Sequence, residues 1–257
     1  MRAVAVAVAV FTCTAAPLSA QDIAGHNAAG DAARCRQNAD EALAHYRAAL
    51  ALDTMHYETL WRTSQALVDA GRKQPTAQAA RRDSLYAEAL VLARRAVAVN
   101  STGADGHFMV AVATGRAALT KGPRDRVRYA GVVREEALRA VELNPRHDGA
   151  LHVLAAWNAE IQRLPGMTRF FAKTFLGAST FNQASWANAV NYYNQAIEIA
   201  PQHILHRLDL AEALVDDDRE PDAIPQLQFI ATLPLGCDPM DATHKQQAAA
   251  LLQRISR

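Results

Sequence analysis

The sequence predicts an all-α solenoid of about five helical hairpins finished by a C-terminal capping helix. Four segment ends align: "ALALDT" at 49–54, "AVAVNS" at 96–101, "AVELNP" at 140–145 and "AIEIAP" at 196–201. Each reads Ala, aliphatic, any residue, aliphatic, a helix-ending residue, then Thr, Ser or Pro. Upstream of these ends, small or aromatic residues recur on one helical face: Ala42, Tyr46 and Ala49; Ala89, Ala93 and Ala96; Val133, Ala137 and Ala140; Ala189, Tyr193 and Ala196. A second amphipathic segment follows each break, at Tyr57 to Ala70, Asp105 to Leu119, Asp148 to Arg163 and Ile204 to Val215. Small residues let two helices approach closely, and the break turns the chain back as an antiparallel hairpin.

In chain order, residues 1–20 come first, with Arg2, an apolar run from Ala3 to about Ala16, and Ala20 before the expected cut. That is signal-peptide grammar, and the run is shorter than the ~20 residues a membrane-spanning helix needs. Export, to a bacterial periplasm, is the expectation. Lipid anchoring through Cys13 is the poorer reading, because Thr12 is an unsuitable neighbour and the preceding run is short. Residues 21–257 then form a single repeat domain. Pro75 and Pro123 suit the first turns of two lengthened helices, where a missing N–H costs nothing. A fifth, degenerate copy begins near Asp222, with Pro225 near a helix start or at a kink. Asp241 to Ser256 forms the cap, with Asp241 as its N-cap.

The repeated unit resembles the tetratricopeptide repeat (TPR), with copies spaced beyond the usual ~34 residues because "GRKQPTAQAARRDSLYAEAL" and "TKGPRDRVRYAGVVREEAL" lengthen two units. A closer likeness runs over roughly residues 105–250. His152, Leu154 and Trp157 on one helix, "AKTFLG" with Gly177, an Ala-rich helix, Pro201, and His206 before Leu208 resemble the regulator of microtubule dynamics family. That resemblance implies an adaptor-like helical protein without a known catalytic centre.

Charge narrows the partners. Lys plus Arg number 27 against 26 Asp plus Glu, and removing residues 1–20 takes away Arg2 and no acid. With no basic excess, nucleic acid is not expected as a partner. Cys35 and Cys237 stand near opposite ends of an elongated array, whereas a disulfide needs alpha carbons within about 7 Å. The expectation is two unpaired, partly buried thiols.

Chemistry is sparse. No Gly-rich phosphate loop, Gly-x-Ser-x-Gly elbow, His-Glu-x-x-His or Cys-x-x-Cys occurs, so neither enzyme activity nor a cofactor is expected. His147, His152, His203 and His206 invite a zinc reading, but no carboxylate or Cys stands at ligand-like spacing. His152 and His206 are expected to hydrogen-bond across hairpins instead. The acidic run "VDDDREPD" at 215–222 lacks the Gly turn of a calcium loop and reads as solvated. Glu135 and Arg139 read as an i,i+4 surface pair.

In TPR-like arrays the first helices line a concave groove. This register turns Trp61, Gln65, Phe108, Val112, Arg116, His152, Ala156, Leu208 and Glu212 toward it as candidate contacts for a protein segment or peptide. The competing reading packs Trp61 and Phe108 between hairpins. A charged C-terminal tail is not the expected ligand, since that clamp needs Lys and Asn at such positions. The alternative function is a helical carrier or sensor of a small apolar ligand. Residues 165–186 hold four of the seven Phe residues, Phe170, Phe171, Phe175 and Phe181. Met167, Phe170, Phe171, Thr174 and Phe175 form an apolar stripe on a short inserted helix, expected to be buried. The alternative is an aromatic ridge for a partner or membrane surface, to which Arg169 and Lys173 give little attraction.

Overall fold

A computed structural model of the chain describes residues 18–165 and 181–256. Among these, eleven α-helices and no strand occur. They pair as α1 (Leu18–Cys35) with α2 (Ala39–Leu52), α3 (Tyr57–Arg72) with α4 (Ala79–Val99), α5 (Ala104–Ala118) with α6 (Pro123–Leu143), α7 (Asp148–Arg163) with α8 (Trp186–Ile199), and α9 (Ile204–Asp216) with α10 (Glu220–Thr232). α11 (Asp241–Ile255) packs on α10 and α9 as the cap. The first helices α1, α3, α5, α7, α9 and α11 each touch the next of the series, as a solenoid's inner wall requires.

The small-residue faces set this spacing. Ala42, Ala49, Ala89, Ala93, Ala96, Ala137, Ala140, Ala189 and Ala196 are fully buried, with Tyr46 and Tyr193 at 1% exposure. A methyl at Gly30 would stand 2.4 Å from the Tyr46 ring, and one at Gly71 equally close to Tyr86, so both glycines make room for a ring. Leu60, Leu67 and Met109 fill the N-terminal core, and Ile204, Leu208, Leu214 and Leu227 the C-terminal one. Each such side chain contributes roughly 1.5–3 kcal/mol by leaving water.

The aligned segment ends have a common mechanism. Asp53, Asn100 and Asn144 are the C-caps of α2, α4 and α6. Their side chains accept hydrogen bonds from the backbone N–H of Met55, Thr102 and Arg146, so each begins a side-chain-closed turn. Three residues after each C-cap stands the N-cap of the next helix, His56, Gly103 or His147, and His203 stands likewise after Ala200. The imidazoles of His56 and His147 accept from Thr59 N–H and Ala150 N–H. Histidine thus stands where Ser or Asp usually caps a helix.

Several expectations are corrected. Cys35 and Cys237 are bonded to each other, with alpha carbons 3.8 Å apart, and both are exposed. Superhelical curvature, absent from a picture of an elongated rod, brings the two ends of the array together. Asp241 is the first residue of α11 rather than its N-cap; it is buried and accepts from Gly236 N–H. Arg139 pairs with Glu142, not Glu135, because the i,i+3 acid meets its guanidinium at 2.7 Å. Pro75 precedes a 3-10 turn, Thr76–Gln78, that leads into α4; Pro123 opens α6, and Pro225 sits inside α10.

The expected aromatic insertion, with Phe170, Phe171 and Phe175, lies outside the described residues. Phe181 is described: it is 3% exposed and stacks on Trp157 at 5.8 Å between ring centres, beside Ile161 and Ala184. Asn158 Oδ1 accepts from Ser185 N–H, and Gln162 Nε2 donates to Ala184 O, tying the return of the chain to α7.

Candidate functional site

The inner wall gathers polar residues that the core excludes. Arg116 on α5 lies within electrostatic reach of Arg72 from α3, Tyr86 from α4, Asp209 from α9 and Asp238 from the loop before α11. Burial, then the neighbouring Arg72 charge, lowers its pKa, with Asp209 and Asp238 opposing. Among the described residues, no hydrogen bond or ion pair engages its guanidinium. His152 on α7 contacts Asp209 through Nε2 at 3.3 Å, and Glu212 lies one turn beyond Asp209, whose charge helps burial to raise its pKa.

Beside this group runs a chain of alternating charges. Arg34 Nε donates to Asp69 at 2.6 Å; Arg72 lies 3.6 Å from Asp69 and donates to both carboxylate oxygens of Asp238 at 3.1 and 3.0 Å. Asp69 is 3% exposed; burial raises its carboxyl pKa, with Arg34 the strongest opposing charge. Arg72 also contacts His244 Nε2 at 3.1 Å. The disulfide adjoins both ends of this chain, since Cys35 follows Arg34 and Cys237 precedes Asp238.

Asp238, Asp241 and His244 group their ligand atoms within 4.8 Å, as a metal site would. The donor set does not fit. Arg72 fills the cation's role toward Asp238, and its N–H against His244 Nε2 requires that nitrogen to be the acceptor, leaving the proton on Nδ1, the nitrogen nearer Asp241. A metal at Nδ1 would need the opposite tautomer.

The histidines link hairpins. His206 and His152 meet through their Nδ1 atoms at 3.0 Å, and His206 Nε2 faces Asp148 at 3.0 Å. Burial pushes His206 below the ordinary histidine value; at Asp148 burial acts upward, but the bond to His206 together with the nearby His206, His203 and His147 rings brings the carboxyl down to about 2. His203 stacks on His206 at 3.9 Å, nearly parallel, so the two rings do not aim nitrogens at one metal. Burial, then the neighbouring His206, lowers His203 to about 4.

This yields a pH prediction with a definite sign. The unfolded chain protonates His203 near 6.5 while the folded chain resists to about 4. The stability is therefore complete above 6.5 and lost as pH falls from 6.5 toward 4, on the order of 3 kcal/mol from this residue. Urea unfolding at pH 7.5 and 4.5 measures the loss, and His203→Phe, which retains a stacking ring, should shrink it. An unchanged difference in that variant would remove His203 as the cause.

The structure sorts the sequence-derived contacts. Arg116, His152 and Glu212 are brought together around Asp209. Leu208 is 1% exposed in the core and offers no surface, so the α9 stripe is displaced by one residue, to Asp209. Trp61, Phe108 and Val112 are half-buried against the N-terminal core, and Ala156 against the C-terminal one. Arg62 lies over the Trp61 ring at 4.4 Å, and Phe108 meets His147 at 4.6 Å. Gln65 is half-buried on α3, two turns before Arg72. Arg72, Asp209, Asp238 and His244 were not singled out in the sequence. Extending the Trp61–Gln65 stripe by seven residues would have reached Arg72.

A sequence model of the regulator of microtubule dynamics protein 1-3 family matches residues 28–256. The chain belongs to that family. Regulator of microtubule dynamics protein 1 of Bos taurus is 26% identical over 144 residues, 56% of this chain and 44% of the bovine protein. The Homo sapiens protein is 25% identical over 141 residues, 55% of this chain and 44% of its own length. The match thus spans less than half the length of these relatives. Among solved structures, the thermophilic TPR protein TTC0263 of Thermus thermophilus superposes with a TM-score of 0.63 at 17% identity, covering 90% of this chain and 99% of that one. This likeness shows the TPR fold. Of the described helices in this family member, none is long and apolar enough to cross a membrane.

Proposed function

We propose that the protein is a noncatalytic, exported TPR-like adaptor whose inner wall binds a segment of a protein partner. The fold is that of a protein-interaction scaffold, and the observation that carries the reading is the inner wall itself. There Arg116 has no hydrogen-bonding partner among the described residues, amid polar side chains drawn from α3, α4, α7 and α9. Folds of this type are typically noncatalytic, and the polar groups here are held in ion pairs and ring contacts rather than poised around a reacting atom. The Cys35–Cys237 disulfide supports an oxidising compartment and hence export, in keeping with the apolar N-terminal run.

Photo-crosslinkers placed singly at Val112 and Ala156, with Val91 on α4 as an exposed control, test this in the native envelope fraction. A partner band from Val112 and Ala156 but not Val91 is the expected result. Capture from Val91 alone would move the binding surface to the second helices and overturn the reading.

A further inference from the structure

We propose that Asp238 is a tethered stand-in for the carboxylate of an acidic peptide, held on the Arg72–Arg116 pair by the Cys35–Cys237 disulfide, so that the peptide enters when the disulfide is reduced. The proposal rests on the inner wall being the partner site and adds the partner's chemistry and its control.

Three observations support it. Arg72 holds Asp238 as a receptor would hold a ligand, with bonds to both oxygens, in a contact between residues 166 apart in sequence. Arg116 lies within electrostatic reach of both Arg72 and Asp238, and its guanidinium has no hydrogen bond among the described residues. Two guanidinium groups within electrostatic reach repel, and an anion near both relieves this; Asp238 supplies one carboxylate where a peptide of several acids would supply more. Asp209 also acts electrostatically on Arg116, so a ligand must offer more than one acid to compete.

The tether is the third observation. Among the described residues, hydrogen bonds and ion pairs from the segment 234–244 to the first two hairpins all run to Arg72, through Asp238 and His244. The covalent link is the disulfide, whose two cysteines are exposed and so open to a reductant. A dithiol delivers two electrons and two protons, the S–S bond breaks to two thiols, and the dithiol becomes a disulfide. Asp238, still held in its turn by Met240 N–H, then competes for Arg72 without the covalent fastening. Effective concentration at the receptor falls accordingly.

The test is anisotropy of fluorescein-labelled hexaglutamate at low salt, with hexaglutamine as control. Titrated proteins are the disulfide-bonded full chain, the same chain reduced, and a disulfide-bonded Asp238→Ala variant, which removes the stand-in without relying on the reduced fold. Expected is a Kd at least ten-fold lower for the reduced chain and for Asp238→Ala, a gain that Arg116→Gln abolishes. Circular dichroism confirms that each form is helical, and if the reduced chain unfolds, Asp238→Ala decides. Equal affinity of the bonded wild-type chain and Asp238→Ala overturns the latch while leaving the inner wall as the partner site. No binding by any form, with crosslinks from Val112 and Ala156 still capturing a partner, overturns carboxylate recognition alone. Loss of those crosslinks too overturns both readings.

Discussion

Replacing both Cys35 and Cys237 by Ser is expected to lower the melting temperature by about 10–20 °C. The bond joins residues 202 apart, and closing so long a loop removes about 5 kcal/mol of chain entropy from the unfolded ensemble. At this chain length each kcal/mol moves the midpoint by roughly 2–4 °C. A linear array also frays from its ends, and a bond between its first hairpin and the loop leading into its cap opposes fraying at both together. Calorimetry of the paired variant beside the wild-type chain measures the shift. Hydrogen exchange should show the increase concentrated in α1 and α11. A shift under 3 °C would mean that the ends hold together without the bond.

The second large effect belongs to Asp69. Asp69→Ala removes the acid between Arg34 and Arg72 and leaves Arg34 half-buried without its partner at 2.6 Å. Breaking a buried pair from one side costs about 3–5 kcal/mol, mostly the penalty of the charge left behind. Asp69→Leu combined with Arg34→Met removes both charges and should recover a large part of that loss, with Arg72 still held by Asp238. Urea unfolding of the three proteins checks this. If the double variant is as unstable as Asp69→Ala, the cost lies in packing and not in the orphaned charge.

The hairpins were legible because their signals are local. Small or aromatic residues at i, i+4 and i+7 mark a close-packed helix face, and Asp53, Asn100 and Asn144 mark where it ends. The described helices start within a residue or two of the predicted positions for that reason, Asp148–Arg163 being the clearest. Likewise the contact between His152 and His206 follows from their places on neighbouring first helices. What the sequence hid is global. Curvature is a small rotation per hairpin, summed over five, and no single residue encodes it. The Cys35–Cys237 bond and the Arg72–Asp238 contact depend on that sum, so both were missed. Leu208 failed for a simpler reason: a step of one residue turns a helix by about 100°, enough to exchange a buried side chain for the facing Asp209. Histidine caps escaped because His is weakly associated with that position, and of the two only His147 drew attention, as a zinc ligand rather than a cap.

The most direct test of the inner-wall reading is hydrogen exchange on the protein with and without its captured partner. Protection confined to α3, α5, α7 and α9, strongest near Arg116 and Asp209, is the predicted result. Protection confined to α2, α4, α6 and α8, with the first helices unchanged, would contradict it.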